Sequence, residues 1–572
     1  MCGIWGYIVT KDIHEITKLF ESFMKVQNRG PDRSDFKIIN EILRIYFGFH
    51  RLSIMDRSTT GDQPFTVEHE NRSIYAMCNG EIYNYQKLID ENKIEVRGGS
   101  DCEILPHMYI KYGFKIMMRK LVGEFAVCVL DIDHQNNVIH LHVGRDQTGV
   151  RPLFIGMDEN GFGFSSTLSG LIGIIDPGKI RQLGRAEIMN LTIGSNGLIN
   201  HCTEIYYDLE ENVREKENDF NQHVDIESTK SEIRSHLIEA VVCRLESDRP
   251  IGALLSGGLD SSLVVAIAAN HLRKSGKQLR TFSIGIPGST DRQYAEIVAT
   301  HCGTSHTHVE FSESDFLNAI QEVIDATETY DITTVRASTG HYLIAKWIRE
   351  NTDIKVVIGG DGSDEVCSGY MYFHNAPSAM ESHKENLRLV EEICYFDVLR
   401  ADRCIAYNGL EARVPFLHHP FVEYYLSIDP RIRMPMRETI DGSLPGGRRI
   451  EKWLLRKSFD LKNDESNDWL PPEILWRMKE AFSDGVSGKK KSWYEIIQEH
   501  VKNLITENDF KDPEINFHIK PHTLEAVYIR KMFNAKFHPH VKVIPYYWMP
   551  RFSGDIKDPS ARVLDVYSMA EL

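Results

Sequence analysis

Apolar positions in the first half of the chain fall into short runs around one amphipathic helix. Ile16, Leu19, Phe20, Phe23 and Met24 are spaced i, i+3, i+4, i+7 and i+8, which is one face of a helix. Gly30-Pro31 ends it. β-prone apolar runs follow at 45–49, 74–78, 125–131, 138–143 and 162–164, separated by Gly, Asn and Asp. This predicts mostly antiparallel sheet with a few helices. The stretch 208–225 breaks the pattern. It is dense in charge (Glu210, Glu211, Arg214, Glu215, Lys216, Glu217, Asp219), poor in apolar residues, and reads as a domain boundary.

Beyond it the rhythm changes. Ile233, Leu237, Ile238, Val241 and Leu245 predict a helix. Apolar strands at 251–255, 281–286 and 356–358 each run into a turn, and helices follow from about 261 and near 294–301. Strand, turn and helix repeated at this spacing predict a doubly wound parallel α/β sheet. From about 368 the chain reads as mainly helical and aromatic-rich, with an irregular tail.

Composition narrows the function classes. The 572 residues are 42% hydrophobic and carry a net charge of −16, which excludes a general nucleic-acid coat but leaves room for a basic nucleotide pocket. The length predicts about two to four domains. The 10 cysteines form no C-x-x-C pair, as expected of reduced thiols in the cytoplasm. The longest apolar run near the middle, 263–269, is a buried-helix candidate and falls short of the ~18 residues of a membrane span. The first residues have no basic n-region and do not read as a signal peptide.

Cys2 follows the initiator Met. Removing that Met leaves a cysteine whose own α-amine can take the thiol proton. Arg29-Gly30-Pro31-Asp32, Arg51-Leu52-Ser53-Ile54, Asn79-Gly80-Glu81-Ile82-Tyr83-Asn84 and Gly99-Ser100-Asp101-Cys102-Glu103 follow. Asn79 and the Gly80 N–H can donate to an oxyanion, Arg51 can fork a carboxylate, and Asp101 can take an ammonium. A thiol with receptors for both ends of an amino acid describes a side-chain amide as substrate. Residues 2 to about 200 resemble a class II glutamine amidotransferase domain of the N-terminal-nucleophile (Ntn) type. The resemblance implies an α/β/β/α sandwich that hydrolyses glutamine to glutamate and ammonia. It makes Cys2 the nucleophile and Asn79 and Gly80 the oxyanion hole. Glutamine would lie against Arg51, Leu52, Ser53, Ile54 and Met55, with Glu81 and Asp101 at its amine end.

Ser256-Gly257-Gly258-Leu259-Asp260-Ser261-Ser262 follows a strand and opens a helix, where backbone N–H groups gather an anion. It lacks the Gly-Lys-Ser/Thr of a Walker A loop and resembles the PP-loop of ATP pyrophosphatases. Residues 240 to about 550 resemble the synthetase domain of the glutamine-hydrolysing asparagine synthetases. The resemblance is carried by Glu328-Thr329-Tyr330-Asp331, Thr333-Thr334-Val335-Arg336-Ala337-Ser338, Gly362-Ser363-Asp364-Glu365, Gly409-Leu410-Glu411-Ala412-Arg413-Val414-Pro415-Phe416-Leu417, Lys479-Glu480-Ala481-Phe482-Ser483-Asp484-Gly485 and Pro545-Tyr546-Tyr547-Trp548-Met549-Pro550.

That family implies a glutaminase domain over 2–208 and a synthetase domain over 209–572. Leu254, Ser256, Gly257, Gly258, Asp260, Ser261, Ile284, Gly359 and Gly360 would contact ATP, Asp260 and Asp364 would hold Mg²⁺, and Lys479 and Asp361 would act in catalysis. The implied reaction adenylates the aspartate β-carboxylate and lets ammonia, delivered by a dry internal passage, displace AMP. Implied partners are L-glutamine, L-aspartate and ATP, with a homodimer as the family-level assembly and no nucleic acid or membrane. The rival readings are a ligase of the same architecture that adenylates another carboxylate, and a non-catalytic homologue. Intact Cys2, Arg51, Asn79, Asp101 and PP-loop speak against both.

The sequence departs from the family at four places. Asn28 and Asp35 replace the usual His and Gly that flank the first site. Asp361 replaces the usual Glu, shortening its reach by about 1.5 Å. His418 replaces the usual Asp, either as a surface change or as a change in the aspartate pocket. His306 and His308 alternate on one side of a predicted strand without ligand spacing for a metal, and Lys489-Lys490-Lys491 reads as a solvated loop.

Overall fold

The computed structural model describes residues 1–11, 15–40, 44–194, 199–216, 225–435, 450–461, 468–480, 486–487 and 491–560. Two antiparallel six-stranded sheets build the N-terminal half. The first runs Ile180–Gln182, Phe154–Met157, Gly161–Ser165, Gly3–Val9, Ile45–Arg51, Arg33–Asn40. The second runs Ile199–Ile205, Glu187–Ile193, Val138–Arg145, Gly123–Asp133, Arg72–Ile82, Phe65–His69. Ile4, Ile8, Phe47 and Phe49 of the first sheet share a core with Met77, Cys128, Leu130, Leu141 and Val143 of the second. The outer face of the second sheet, with Ile74, Ala76, Val127 and Val129, is covered by helices Leu105–Tyr112 and Phe114–Lys120. Helix Ile16–Met24 covers Trp5 and Tyr7 on the first. The layers are therefore α/β/β/α. Strand Gly123–Asp133 is apolar from Phe125 to Leu130 because it is covered on both faces.

The C-terminal half holds a five-stranded parallel sheet in the order Ser305–Glu310, Arg280–Gly285, Ile251–Leu254, Val356–Ile358, Glu411–Arg413. Ala253 and Ile358 pack toward helices Ile226–Val242, Leu259–Lys274 and Asp291–Cys302. Phe282, Ile284 and Val357 pack toward Glu313–Thr327 and Ile332–Asn351. The sheet is doubly wound, and helix Leu259–Lys274 is buried all round over the run 263–269. The later chain is mainly helical, including Ala379–Glu392, Asp397–Tyr407, His419–Ser427 and Leu524–Phe537.

The charged stretch after 208 is partly structured. Helix Leu209–Lys216 buries Leu209 and Val213 in the core that contains Phe421 and Val422. Glu217 and Asp219 lie outside the described residues.

The two halves meet through buried ions. Arg151 reaches Glu124 at 2.8 Å and Asp402 at 3.0 Å, Arg29 reaches Asp402 at 2.8 Å, and Arg244 reaches Glu124 at 2.8 Å. All five side chains are almost fully buried. Such pairs add little net stability. Removing one partner strands a charge at a cost of about 3–5 kcal/mol, so the network fixes how the halves dock.

Candidate active sites

Strand order brings the first set of sequence-marked residues together. Gly3 faces His50 across the ladder, so Cys2 arrives beside Arg51. Cys2 Sγ is 3.6 Å from the Leu52 carbonyl oxygen. Asn79 is fully buried on the neighbouring sheet, with Nδ2 donating to the Cys2 carbonyl at 2.7 Å and Oδ1 accepting from Arg29 at 3.3 Å. Arg29 Nε donates to the same Cys2 carbonyl at 3.2 Å. Gly80 has φ +146°, and a Cβ there would lie 1.9 Å from the Glu124 carbonyl oxygen. A side chain there would run into the backbone of strand Gly123–Asp133.

The receptors for the two ends of an amino acid are placed as follows. Arg51 is buried, with Nη1 on the Ser58 carbonyl at 2.6 Å and on Asp62 at 2.7 Å, and Nη2 on the Asp56 carbonyl. Its guanidinium is thus braced by the loop after strand Ile45–Arg51. Ser53 N–H donates to Asp32 at 3.0 Å, and Leu52 and Ile54 bury themselves with Met55 against Val356 and Ile251 of the other half. Asp101 accepts from the Ile82 N–H at 2.7 Å, and burial pushes its carboxyl up to about 6. Glu81 turns to Arg413, 3.4 Å away, and is pushed well above the ordinary range by burial and then by Glu411 and Asp101.

Met1 precedes Cys2 in the sequence. It is fully buried, its ammonium is 3.8 Å from Glu411, and burial lowers that amine to about 6. Burial also pushes the Cys2 thiol up to about 12. With Met1 in place the thiol is protonated and Cys2 has no amine of its own, so activation waits on removal of Met1.

The second set lines a cavity at the C-terminal end of the parallel sheet, where ligands of open α/β sheets bind. Leu254, Ser256, Gly258, Asp260, Ser261, Ile284, Gly360, Asp361, Asp364 and Lys479 all line it. Gly257 and Gly359 are absent from its wall. Gly257 turns the loop with φ +76°, and the Gly359 N–H donates to the Arg413 carbonyl at 3.0 Å. Gly258 is the N-cap of helix Leu259–Lys274, with no side chain capping its first N–H groups. That end of a long helix favours an anion.

Charge is concentrated beside it. Lys452 Nζ lies 2.6 Å and 2.7 Å from the two Asp260 oxygens and 2.5 Å from Asp364 Oδ1. Lys479 Nζ lies 2.6 Å from Asp364 Oδ2. Burial opposes ionisation of Asp364, but the two ammoniums outweigh it and hold its carboxyl well below the usual range. Asp361 reaches Arg400 at 3.3 Å and His341 at 3.9 Å. The motif residues Ala481, Phe482, Ser483, Asp484 and Gly485 lie outside the described residues.

Sequence reading missed Lys452, His341, Arg400 and Asp402, none of which stands in a motif. It also left His418 between two readings, and the structure takes neither. His418 is buried, away from the cavity wall, with Nδ1 3.3 Å from Arg244 Nη1 at the interface of the halves. Burial, then Arg244, pushes it well below its ordinary value, so a neutral ring meets the guanidinium. His306 and His308 are bonded to Thr281 and Ser283 on the next strand. Lys491 pairs with Glu499 at 2.7 Å, while Lys489 and Lys490 lie outside the described residues.

Comparison with known proteins separates the same two parts. A glutamine amidotransferase domain family matches residues 1–193, and the asparagine synthase family matches residues 232–392 and 377–540. The chain is 40% identical over 589 aligned residues to the glutamine-hydrolysing asparagine synthetases of Bos taurus and Homo sapiens, covering 100% of both chains. A probable asparagine synthetase of Acanthamoeba polyphaga mimivirus is 38% identical over 579 residues, covering 99% of this chain and 100% of that one. With a cysteine site and a phosphate-loop cavity joined in one chain, and with identity that runs through both, the protein belongs to the family of glutamine-hydrolysing asparagine synthetases.

Proposed function

We propose that this chain converts L-aspartate to L-asparagine, using ATP and ammonia released from L-glutamine. The observation that carries the reading is the pair of lysines and pair of carboxylates beside the loop Ser256–Ser261, in a chain that also presents Cys2 with Asn79 and Gly80. We assign residues 2–208 to the glutaminase domain and 209–572 to the synthetase domain.

In the first site the freed amine of Cys2 takes the thiol proton, and the sulfur attacks the glutamine amide carbon. The Asn79 amide and the Gly80 N–H are the donors for the oxyanion. Ammonia leaves, and water releases glutamate from the thioester. Arg51 takes the α-carboxylate, and Asp101 takes the α-ammonium, with Glu81 at that end of the site turned to Arg413. An ammonium receptor works only as a carboxylate. KM for glutamine should therefore rise as pH falls through about 6, where Asp101 gains its proton, and glutaminase assays over a pH series check this.

In the second site a β-carboxylate oxygen of aspartate attacks the α-phosphorus of ATP. The loop N–H groups and Lys479 and Lys452 offset charge on the departing pyrophosphate. Asp260 and Asp364 fit Mg²⁺, because two hard carboxylates converge where the Lys452 ammonium already sits. Bound there, the ion would neutralise phosphate charge. Ammonia then displaces AMP from the aspartyl carbonyl, with Asp361 at that end of the cavity.

We also assign a cytoplasmic setting and a homodimer. All 10 cysteines are free, and no helix among the described residues is long and apolar enough to cross a membrane. Exposed Ile16, Phe20 and Ile38 supply apolar surface for a second copy. Glutamine labelled with ¹⁵N at the amide tests the reading. The label should appear in asparagine, and label found only in free ammonium counts against it.

A further inference from the structure

His341 lies in the middle of helix Ile332–Asn351, and the reaction as described does not use it. It lines the synthetase cavity beside Gly360, Asp361 and Arg400. Its Nε2 is 3.9 Å from Asp361 Oδ1, and its side chain is only 7% exposed. The charged groups that face it are Asp361, Arg400 and Asp397.

We propose that His341 is the general base of the amide-forming step. Its Nε2 takes a proton from the nitrogen of ammonia as that nitrogen bonds to the β-carbonyl carbon of the aspartyl adenylate. This rests on the asparagine-forming reading of the site. The nitrogen lone pair makes the C–N bond. The C–O bond to AMP breaks, and its electron pair leaves on AMP. Two of ammonia's hydrogens stay on the amide and the third goes to His341, then to solvent. Asp361 faces the imidazolium formed in passing.

The neighbours leave this role to the imidazole. Asp260 and Asp364 are held by Lys452 and Lys479, Asp291 by Arg477 at 3.1 Å, and Asp361 by Arg400. Each of these carboxylates already faces a cation, as do Glu451 (Arg456) and Glu480 (Arg477), while Glu365 on the same wall is engaged by the Tyr370 hydroxyl at 2.5 Å. Burial lowers the His341 pKa to about 4 against the pull of Asp361, so the ring is a neutral base at physiological pH. An anionic adenylate alongside raises its proton affinity toward that of a useful acceptor. Asp361 gains a physical role as well. It is shorter than glutamate, and with the ring in front of it the proton need not reach the carboxylate itself.

The experiment separates adenylation from amide formation. A pyrophosphate burst with ATP and aspartate, without ammonia, reads the first. Asparagine formed from ammonium salts over a pH series, expressed per concentration of free NH₃, reads the second. His341→Gln should keep the burst within about 3-fold, lower asparagine formation on the order of 10²-fold, and lose the acid limb of its pH profile. Asparagine formation within about 3-fold of wild type, or loss of burst and product in parallel, overturns the proposal. The wild-type protein supplies a check that needs no variant. Its asparagine formation should fall on the acid side where the burst does not, and identical pH profiles overturn the proposal. Absence of any aspartate-dependent burst from wild type overturns the asparagine reading first, and the inference with it.

Discussion

Cys2→Ala protein is expected to make no measurable asparagine from glutamine, a fall of more than about 10³-fold, while still making it from ammonium salts. The split follows from the architecture. The thiol sits between the two antiparallel sheets' ends, next to Arg51 and the Asn79 amide, and the phosphate-loop cavity belongs to the parallel sheet. A methyl group in place of the thiol removes the nucleophile without adding volume or charge. It also leaves the interface ions Arg29, Arg151, Asp402 and Glu124 in place. A protein that retains Met1 should share the phenotype, because burial holds its thiol near 12 and the amine that would deprotonate it is still in a peptide bond. Glutaminase and ammonia-dependent rates on the processed, unprocessed and substituted proteins check both statements. Loss of ammonia-dependent synthesis in Cys2→Ala would mean that the thiol supports the second site.

Lys452→Ala is expected to give the largest loss at the other site. Lys452 is 1% exposed and sits between Asp260 and Asp364. Room for it is built in: a Cβ on Gly369 would lie 2.0 Å from the lysine Cε. Removing the ammonium leaves Asp260 without this cation and Asp364 with Lys479 alone, both half-buried and facing the incoming phosphates. The expected cost is about 3–5 kcal/mol of stability. The aspartate-dependent pyrophosphate burst should fall by about 10²–10³-fold, as for loss of one preorganised charge at a transition state. Lys452→Arg should not rescue it, because a planar fork cannot replace a point charge shared by three oxygens. Glutamine hydrolysis is the internal control. An unchanged burst in Lys452→Ala would place the phosphates elsewhere.

The parts of the fold readable from sequence are those held by apolar burial. Strand Gly123–Asp133 stands inside the sandwich and shows a long apolar run from Phe125 to Leu130. Edge strands Arg33–Asn40 and Ile199–Ile205 are largely exposed, carry polar residues, and left no such signal. Strand Glu411–Arg413 was invisible for a different reason. It is wholly buried, but by ion pairs, with Arg413 on Glu411 at 2.8 Å and on Glu81 at 3.4 Å. Helix Ile16–Met24 showed the converse. Its apolar stripe was clear, yet only Leu19 and Phe23 are buried while Ile16 and Phe20 stay 47% and 46% exposed.

The site divides in the same way. Residues that work through backbone geometry, such as Gly80 and Ser256 to Ser261, form contiguous motifs that a single sequence displays. Lys452 meets Asp260 across 192 positions, and Arg29 meets Asp402 across 373. No local pattern encodes such pairs. His341 is one histidine within a helix, and only the approach of Asp361 and Arg400 gives it a chemical setting.

The central claim is that one chain couples glutamine hydrolysis to adenylation of aspartate. The most direct measurement is the yield of pyrophosphate, asparagine and glutamate from ATP, Mg²⁺ and glutamine, with and without aspartate. The account predicts pyrophosphate only when aspartate is present, with asparagine formed in equal amount. Glutamate released without any aspartate-dependent pyrophosphate would contradict it.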